Sequence, residues 1–446
     1  MTTVGTAAAD SGGGHGAPGQ GDPYFPLSGN GGYTVRHYDL DLGYEPATKK
    51  LTGDATVTAR AGQALAAFDL DLSGLTVNRV RVDGRTAHWT RHGQELVVTP
   101  PHALRKGATF RVDVAYSGVP QYVTDPDGSA DGWITTDDGA FVAGEPQGAM
   151  SWFPSDNNPL DKASYSFRVT VPAGYTAVCN GVLDAQHTRG GKTTFQWRQD
   201  QPMASYLATA TVGRFDVQRY TTASGIPVYN AVDPREAAGA APALAKIPEI
   251  LDWETKLFGP YPFSAAGAIV DDAHDVGYAL ETQTRPIYDR APDVSTVVHE
   301  TAHQWFGDSV SLTSWKDIWL NEGFATYAEW LWQEQHGGDT AQATFDHYDG
   351  LPATDSLWDF PSADPGNGAN IFASPVYTRG AMALQELRDA VGDKDFFAIL
   401  KAWAREHRYG NGTTGQFVAL SEHLSGKHLG TLFHTWLYTA GKPATS

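Results

Sequence analysis

The chain has 446 residues, 41% of them hydrophobic, with 13 Trp and 19 Tyr; this is enough apolar material for more than one packed domain and excludes a disordered polymer. Its 51 acidic residues against 32 basic ones leave a formal charge of -19, which argues against nucleic acid or an anionic membrane surface as a partner. The lone Cys179 excludes an intramolecular disulfide and a cysteine metal cluster, and no apolar run is long enough to span a bilayer.

Residues 1–21, MTTVGTAAADSGGGHGAPGQG, are small, Gly-rich and nearly uncharged, without the basic start and apolar centre of a signal peptide. They predict a flexible leader of the kind that follows an export signal. The expected location is therefore outside the cell, with the cytoplasm as the alternative.

Residues 22–230 predict an antiparallel all-β domain. Runs such as YTVRHYDLDLGY, DATVTARA, TFRVDVAYSG and SYSFRVTVP alternate apolar with polar side chains, and Gly, Asp and Pro turns such as VDGR and TRGGK separate them. Near residue 232 the texture changes. In PREAAGAAPALAKIPEILDWETKLFG, Leu244, Ile247, Ile250, Leu251 and Leu257 recur at helical spacing. Residues 231–446 predict a mainly α domain, with one strand in AAGAIVDD and helices over 293–306, 317–336, 379–391, 394–407 and 414–425. No internal repeat is visible.

The chemistry concentrates in VVHETAHQWFGDSV. His299 and His303 stand at i and i+4, on one helical face about 6 Å apart, where two imidazoles can share one Zn²⁺. Glu300 falls to the neighbouring side, placed to act as a general base. Zinc chemistry needs a third protein ligand. Glu322 is separated from His303 by eighteen residues, in the helical pattern WKDIWLNEGFATYAEWLW, and a helical hairpin would bring it back to the histidines. Glu329, two turns further on, is a candidate to orient a ligand histidine, or else a solvated acid. Taken alone, the two histidines also fit an amphipathic helix with no metal.

HETAHQWFG followed by WLNEGFATYAE resembles the M1 family of zinc aminopeptidases, whose pattern is HExxH, eighteen residues, then Glu within NEGFA. The resemblance implies one Zn²⁺ per chain on His299, His303 and Glu322, with Glu300 as general base. PVYTRGAMALQEL resembles the family's Y-x-K-G-A segment, which implies that Tyr377 stabilises the oxyanion; Arg379 replaces the usual lysine. GYALETQTRPIY stands where the family has its G-x-M-E-N exopeptidase motif. Ala279 and Glu281 match it, while Tyr278, Leu280 and Thr282 depart from it. GEPQGAMSWFPSDNNP resembles a further block and aligns Glu145 with the family's second amine-binding glutamate.

The resemblance thus implies an N-terminal β saddle followed by a thermolysin-like zincin domain that removes the N-terminal residue from peptides with a free amine. It also implies a site more open than in relatives that carry a C-terminal helical domain, unless oligomerisation covers it. A zinc endopeptidase and a non-catalytic peptide-binding module with a retained zinc site are the alternatives. The family's epoxide-hydrolysing branch has no positive support, and oligomeric state is not legible.

Overall fold

The computed structural model describes residues 13–443. The alternating runs build an eight-stranded sheet in the order Val182–Arg189, Lys192–Ala204, Lys162–Pro172, Tyr33–Glu45, Lys50–Ala61, Thr109–Gly118, Thr76–Val82 and Arg85–Thr86. In Tyr33–Glu45, Tyr33 and Val35 point inward, a bulge between Val35 and His37 resets the phase, and Tyr38, Leu40, Leu42 and Tyr44 continue the buried face. One seam is parallel: Lys162–Pro172 runs alongside Tyr33–Glu45, with Ser164 opposite His37 and Thr170 opposite Gly43. Alternation reports which face a side chain takes, not strand direction, and the long connection between these two strands permits either pairing.

Two smaller sheets complete this β-rich half. One joins Gly14–His15, Leu65–Asp71, Glu95–Thr99 and His88–His92; the other joins Val123–Thr124, Ala130–Thr135, Ala140–Ala143, Ala210–Gly213 and Thr176–Cys179. The expected flexible leader is corrected over 13–21. Gly14–His15 pairs parallel with Leu65–Asp71, and the His15 ring bonds Asp69 at 2.8 Å, so backbone pairing holds a stretch whose composition suggested a linker. Residues 1–12 lie outside the described residues.

The second half is built on a sheet in the order Asp216–Thr221, Pro227–Val232, Ala266–Val270, Ile287–Tyr288 and Ala279–Leu280, whose middle three strands are parallel. The hairpin 216–232 therefore pairs with this sheet, ahead of the expected boundary at 230, because its alternation looks the same whichever sheet it joins. The helices are α1 (Ala237–Leu244), α2 (Ile247–Phe258), α3 (Val294–Ala302), α4 (Trp319–Gln335), α5 (Ala341–Asp349), α6 (Gly380–Val391), α7 (Asp393–Glu406), α8 (Thr414–Ser425) and α9 (Gly430–Leu437). Among the described residues, no helix is long and apolar enough to cross a membrane.

Local chemistry sets the helix ends. Asp293 caps α3 by accepting from Thr296 N at 2.8 Å, and Thr413 with Gln416 forms a capping box at the start of α8. α4 is the central helix: twelve of its 17 residues are buried, and it packs against both α3 and α6. Its crossing with α6 is close. A Cβ on Gly323 would stand 2.9 Å from the Gly380 carbonyl carbon, so two glycines let the backbones touch. A π-helical turn, Pro375–Arg379, runs directly into α6. The expected helix beginning at 379 thus has an irregular preface, and such turns cluster at functional sites.

Candidate metal centre and substrate cleft

His299 and Glu300 lie on α3, His303 at its C-cap, and Glu322 and Glu329 on α4. The pairing of these two helices returns Glu322 to the histidines. Each imidazole engages an acceptor through Nδ1: Glu329 Oε1 at 2.7 Å from His299, and the Phe306 carbonyl at 3.1 Å from His303. With the proton held on Nδ1, both rings turn Nε2 towards Glu322 Oε2, at 3.2 Å for His299 and 3.4 Å for His303. Ligand atoms around a tetrahedral ion with bonds of about 2.0–2.1 Å stand about 3.3–3.4 Å apart, so the donor set fits Zn²⁺ in both spacing and chemistry.

The electrostatics also favour a cation. Burial alone would lower the His303 pKa, but Glu322 and Glu281 outweigh it and lift the imidazole to about 9. Burial would raise the Glu322 carboxyl, yet His303 and His299 hold it at about 2. Burial pushes Glu300 up to about 8, against the pull of His299 and His303. Glu300, Glu281 and His303 also come close enough together to count as a second possible ligand group. The first group is the better fit, because Glu322 touches both histidines.

One cavity of about 480 Å³ is lined by Glu145, Ala279, Glu281, His299, Glu300, His303, Glu322, Glu329 and Tyr377, so the structure gathers every residue to which the sequence reading gave a place in the site. Ala279 lies in the edge strand Ala279–Leu280 and Glu281 follows it, whereas Glu145 follows the strand Ala140–Ala143 of the β half. Glu281 and Glu145 are 2% and 7% exposed, and each keeps one buried oxygen without a hydrogen-bond donor. Among the described residues, no Lys or Arg lines the cavity. Two acids that desolvation alone would neutralise thus face a space whose cationic partners are imidazoles and not Lys or Arg, which suits a cationic ligand group. Tyr377 sits in the π turn, its ring stacked on His299 at 6.1 Å between centroids. Burial and the surrounding carboxylates raise its pKa, so the phenol keeps its proton and can donate it in a hydrogen bond.

Several residues that position the site were missed. Gln304 donates to the Glu281 carbonyl at 3.0 Å and accepts from Thr284 N at 2.7 Å, tying α3 to the segment that carries Glu281. Arg285 is buried and donates to the carbonyls of Cys179, Gly181 and Tyr229, strapping that segment to both halves. Tyr278, which departs from the family pattern, lines the cavity and donates to the Ala130 carbonyl at 2.8 Å. Their partners are backbone atoms remote in sequence, which no motif encodes. Gln304 had a signal in directly following HETAH, and Tyr278 in standing at a motif position. Arg379 turns away from the chemistry: it is fully buried and donates to the carbonyls of Trp436 at 2.8 Å and Thr435 at 3.2 Å, a cation at the C-terminus of α9.

The peptidase family M1 domain matches residues 274–436, and the peptidase M1 N-terminal domain matches residues 34–207. Aminopeptidase N of Streptomyces lividans is 27% identical over 92% of this chain and 50% of its own length. Aminopeptidase M1 of Arabidopsis thaliana is 28% identical over 68% of this chain and 37% of its own length. The chain thus spans half or less of the length of these two relatives. Among solved structures, an M1 zinc metallopeptidase from Deinococcus radiodurans is similar with a TM-score of 0.88 and 30% sequence identity, covering 96% of this chain and 98% of that one. A mutant form from the same organism was solved bound to a Tyr-Ser-Ala substrate.

Proposed function

Because this chain belongs to the M1 family of zinc metallopeptidases, we propose that it is an aminopeptidase, releasing the N-terminal residue of peptides at one Zn²⁺ held by His299, His303 and Glu322. Bound there, zinc supplies Lewis acidity, polarising a carbonyl and bringing the pKa of water down to about 7. The protein's own groups do the rest. Glu281 and Glu145 accept hydrogen bonds from the substrate's α-ammonium, which sets the first peptide bond beside the donor triad, while Ala279 lines the path. Glu300 takes the proton of the attacking water and returns it to the leaving amine. The Tyr377 hydroxyl donates to the oxygen on which negative charge develops. Glu329 keeps the His299 proton on Nδ1, so that Nε2 stays free as a ligand.

The observation that supports this reading above an endopeptidase is the pair Glu281 and Glu145, buried, short of donors and lining the same cavity as the triad. A free peptide N-terminus has a pKa of about 7.7–8.0 and is largely cationic at neutral pH. Removing one partner of a desolvated charge pair costs about 2–5 kcal/mol. Glu281→Ala should therefore lower kcat/KM on free-amine aminoacyl substrates at least about tenfold with zinc still bound, and wild type should ignore N-acetylated peptides. Efficient internal cleavage of N-blocked peptides, unchanged by Glu281→Ala, would make the enzyme an endopeptidase instead.

A further inference from the structure

Away from the cleft, the three parallel strands of the catalytic sheet each deliver an aspartate just past their C-terminal ends: Asp233 after Pro227–Val232, Asp271 after Ala266–Val270, and Asp289 after Ile287–Tyr288. Open α/β sheets bind ligands in the crevice beyond those strand ends. Here the β half supplies one more acid, Asp138, from the turn between Ala130–Thr135 and Ala140–Ala143. One carboxylate oxygen from each of Asp138, Asp233 and Asp271 lies within 4.8 Å of the other two.

The hydrogen bonding around these acids is incomplete. Asp138 Oδ2 accepts from Arg214 N at 3.1 Å, and Asp271 Oδ1 accepts from Asp272 N at 2.9 Å. The remaining oxygens, Asp138 Oδ1 and Asp271 Oδ2, are buried without a donor, and Asp271 is 0% exposed. The nearby cation, Arg235, serves the Asp233 side of the group. It bonds both oxygens of Asp233, pairs with Asp137 and Asp272, and comes only within 3.9 Å of Asp138. Among the described residues it makes no ion pair with Asp271. Burial above all, then the neighbouring Asp138, pushes the Asp271 carboxyl up to about 7, and Arg235 offsets only part of this.

We propose that Asp138, Asp233 and Asp271 form a second divalent-cation site, suited to Ca²⁺, which ties the turn of the β half to the strand ends of the catalytic sheet. The donors are all hard oxygens, with no His or Cys among them. Oxygens within 4.8 Å of one another can share one ion at Ca–O bonds of about 2.3–2.6 Å, and calcium tolerates an irregular shell completed by water. The ion supplies the positive charge that Arg235 does not carry to Asp271, and it does so at the seam between the two halves.

The test uses zinc-loaded enzyme dialysed free of calcium, titrated with CaCl₂ by calorimetry and by thermal melting, with MgCl₂ in parallel. One Ca²⁺ per chain beyond the zinc, accompanied by a higher Tm, is expected, with weaker binding of Mg²⁺. Asp271→Asn should weaken calcium binding by at least about tenfold. Without calcium that variant should melt at or above wild type, since an uncompensated buried charge has gone; with saturating calcium the order should reverse. Asp138→Asn, on a turn, repeats the comparison if Asp271→Asn fails to fold. The proposal is overturned by absence of saturable binding up to about 10 mM calcium. Binding untouched by both substitutions, or an Asn variant less stable by the same margin with and without calcium, overturns it equally.

Discussion

Glu300 is the immediate neighbour of His299 yet groups with Glu281 and His303 rather than with the pair of contacts that Glu322 makes, so on the proposed reading holding the metal and moving the proton fall to adjacent residues. Glu300→Ala should keep one zinc per chain by elemental analysis while turnover falls close to background; zinc lost along with the side chain would move Glu300 into the ligand set. Tyr377→Phe removes one hydroxyl and leaves the ring on His299, so kcat should fall about 10²–10³-fold with a smaller change in KM. Sequence made the triad legible because the residues recur on two helices at spacings that chemistry restricts. Glu329, two turns beyond Glu322, was legible only as a candidate, since a solvated acid fits the same position. Glu281 and Glu145 came from resemblance alone. Gln304 and Arg285 stayed hidden because they grip carbonyls and amides, and every residue offers those.

At the level of elements, helical periodicity located α3, α4, α6, α7 and α8 to within a few residues, because each buries one face on the core. It located neither the parallel seam nor the π turn. Strand direction and a one-residue expansion of a helix leave the apolar pattern nearly unchanged. That expansion matters, since it carries Tyr377 and abuts the Gly323–Gly380 crossing one residue from Glu322. Gly323→Ala places a methyl 2.9 Å from backbone, which must move. Overpacking of this kind costs about 1–3 kcal/mol. The expected result is a lowered Tm, a folded circular-dichroism spectrum and a drop in kcat beyond what the loss of stability explains, read at a temperature where the variant is fully folded. Unchanged kcat would show that the crossing holds the helices together without aiming Tyr377 or Glu322.

Over the whole molecule, the β-rich half and the helical half are joined by polar ties that composition could not announce. The Lys162 ammonium donates to the carbonyls of Asp308 at 2.6 Å, Ser309 at 3.0 Å and Gly410 at 3.2 Å, where Val310–Leu312 and Gly410–Gly412 pair. Asn411 Nδ2 reaches back to the Pro159 carbonyl at 2.9 Å, and Asn180 Nδ2 to the Gln283 carbonyl at 2.9 Å. Lys162→Met keeps the length of the stem but strands those acceptors, at about 1–3 kcal/mol for each group left unpaired. Melting by near-ultraviolet and far-ultraviolet signals should shift downward together if the halves unfold as one unit. A split into two transitions would show that Lys162 maintains the coupling. The change from β to α texture was plain in the sequence, whereas the point at which one sheet gives way to the next was not, since the hairpin 216–232 could serve either.

Glu145 is held by the first half of the chain and Glu281 by the second, and both line the cavity that contains the triad. On the proposed reading, the scissors belong to one half, but the ruler that measures a single residue from the end is shared. A descendant that traded its β half for another of similar outline would inherit the cutting chemistry intact and lose the measure. Selectivity for chain ends is then inherited as a match between two parts, and substitutions on either side of the seam can drift only as far as that match allows.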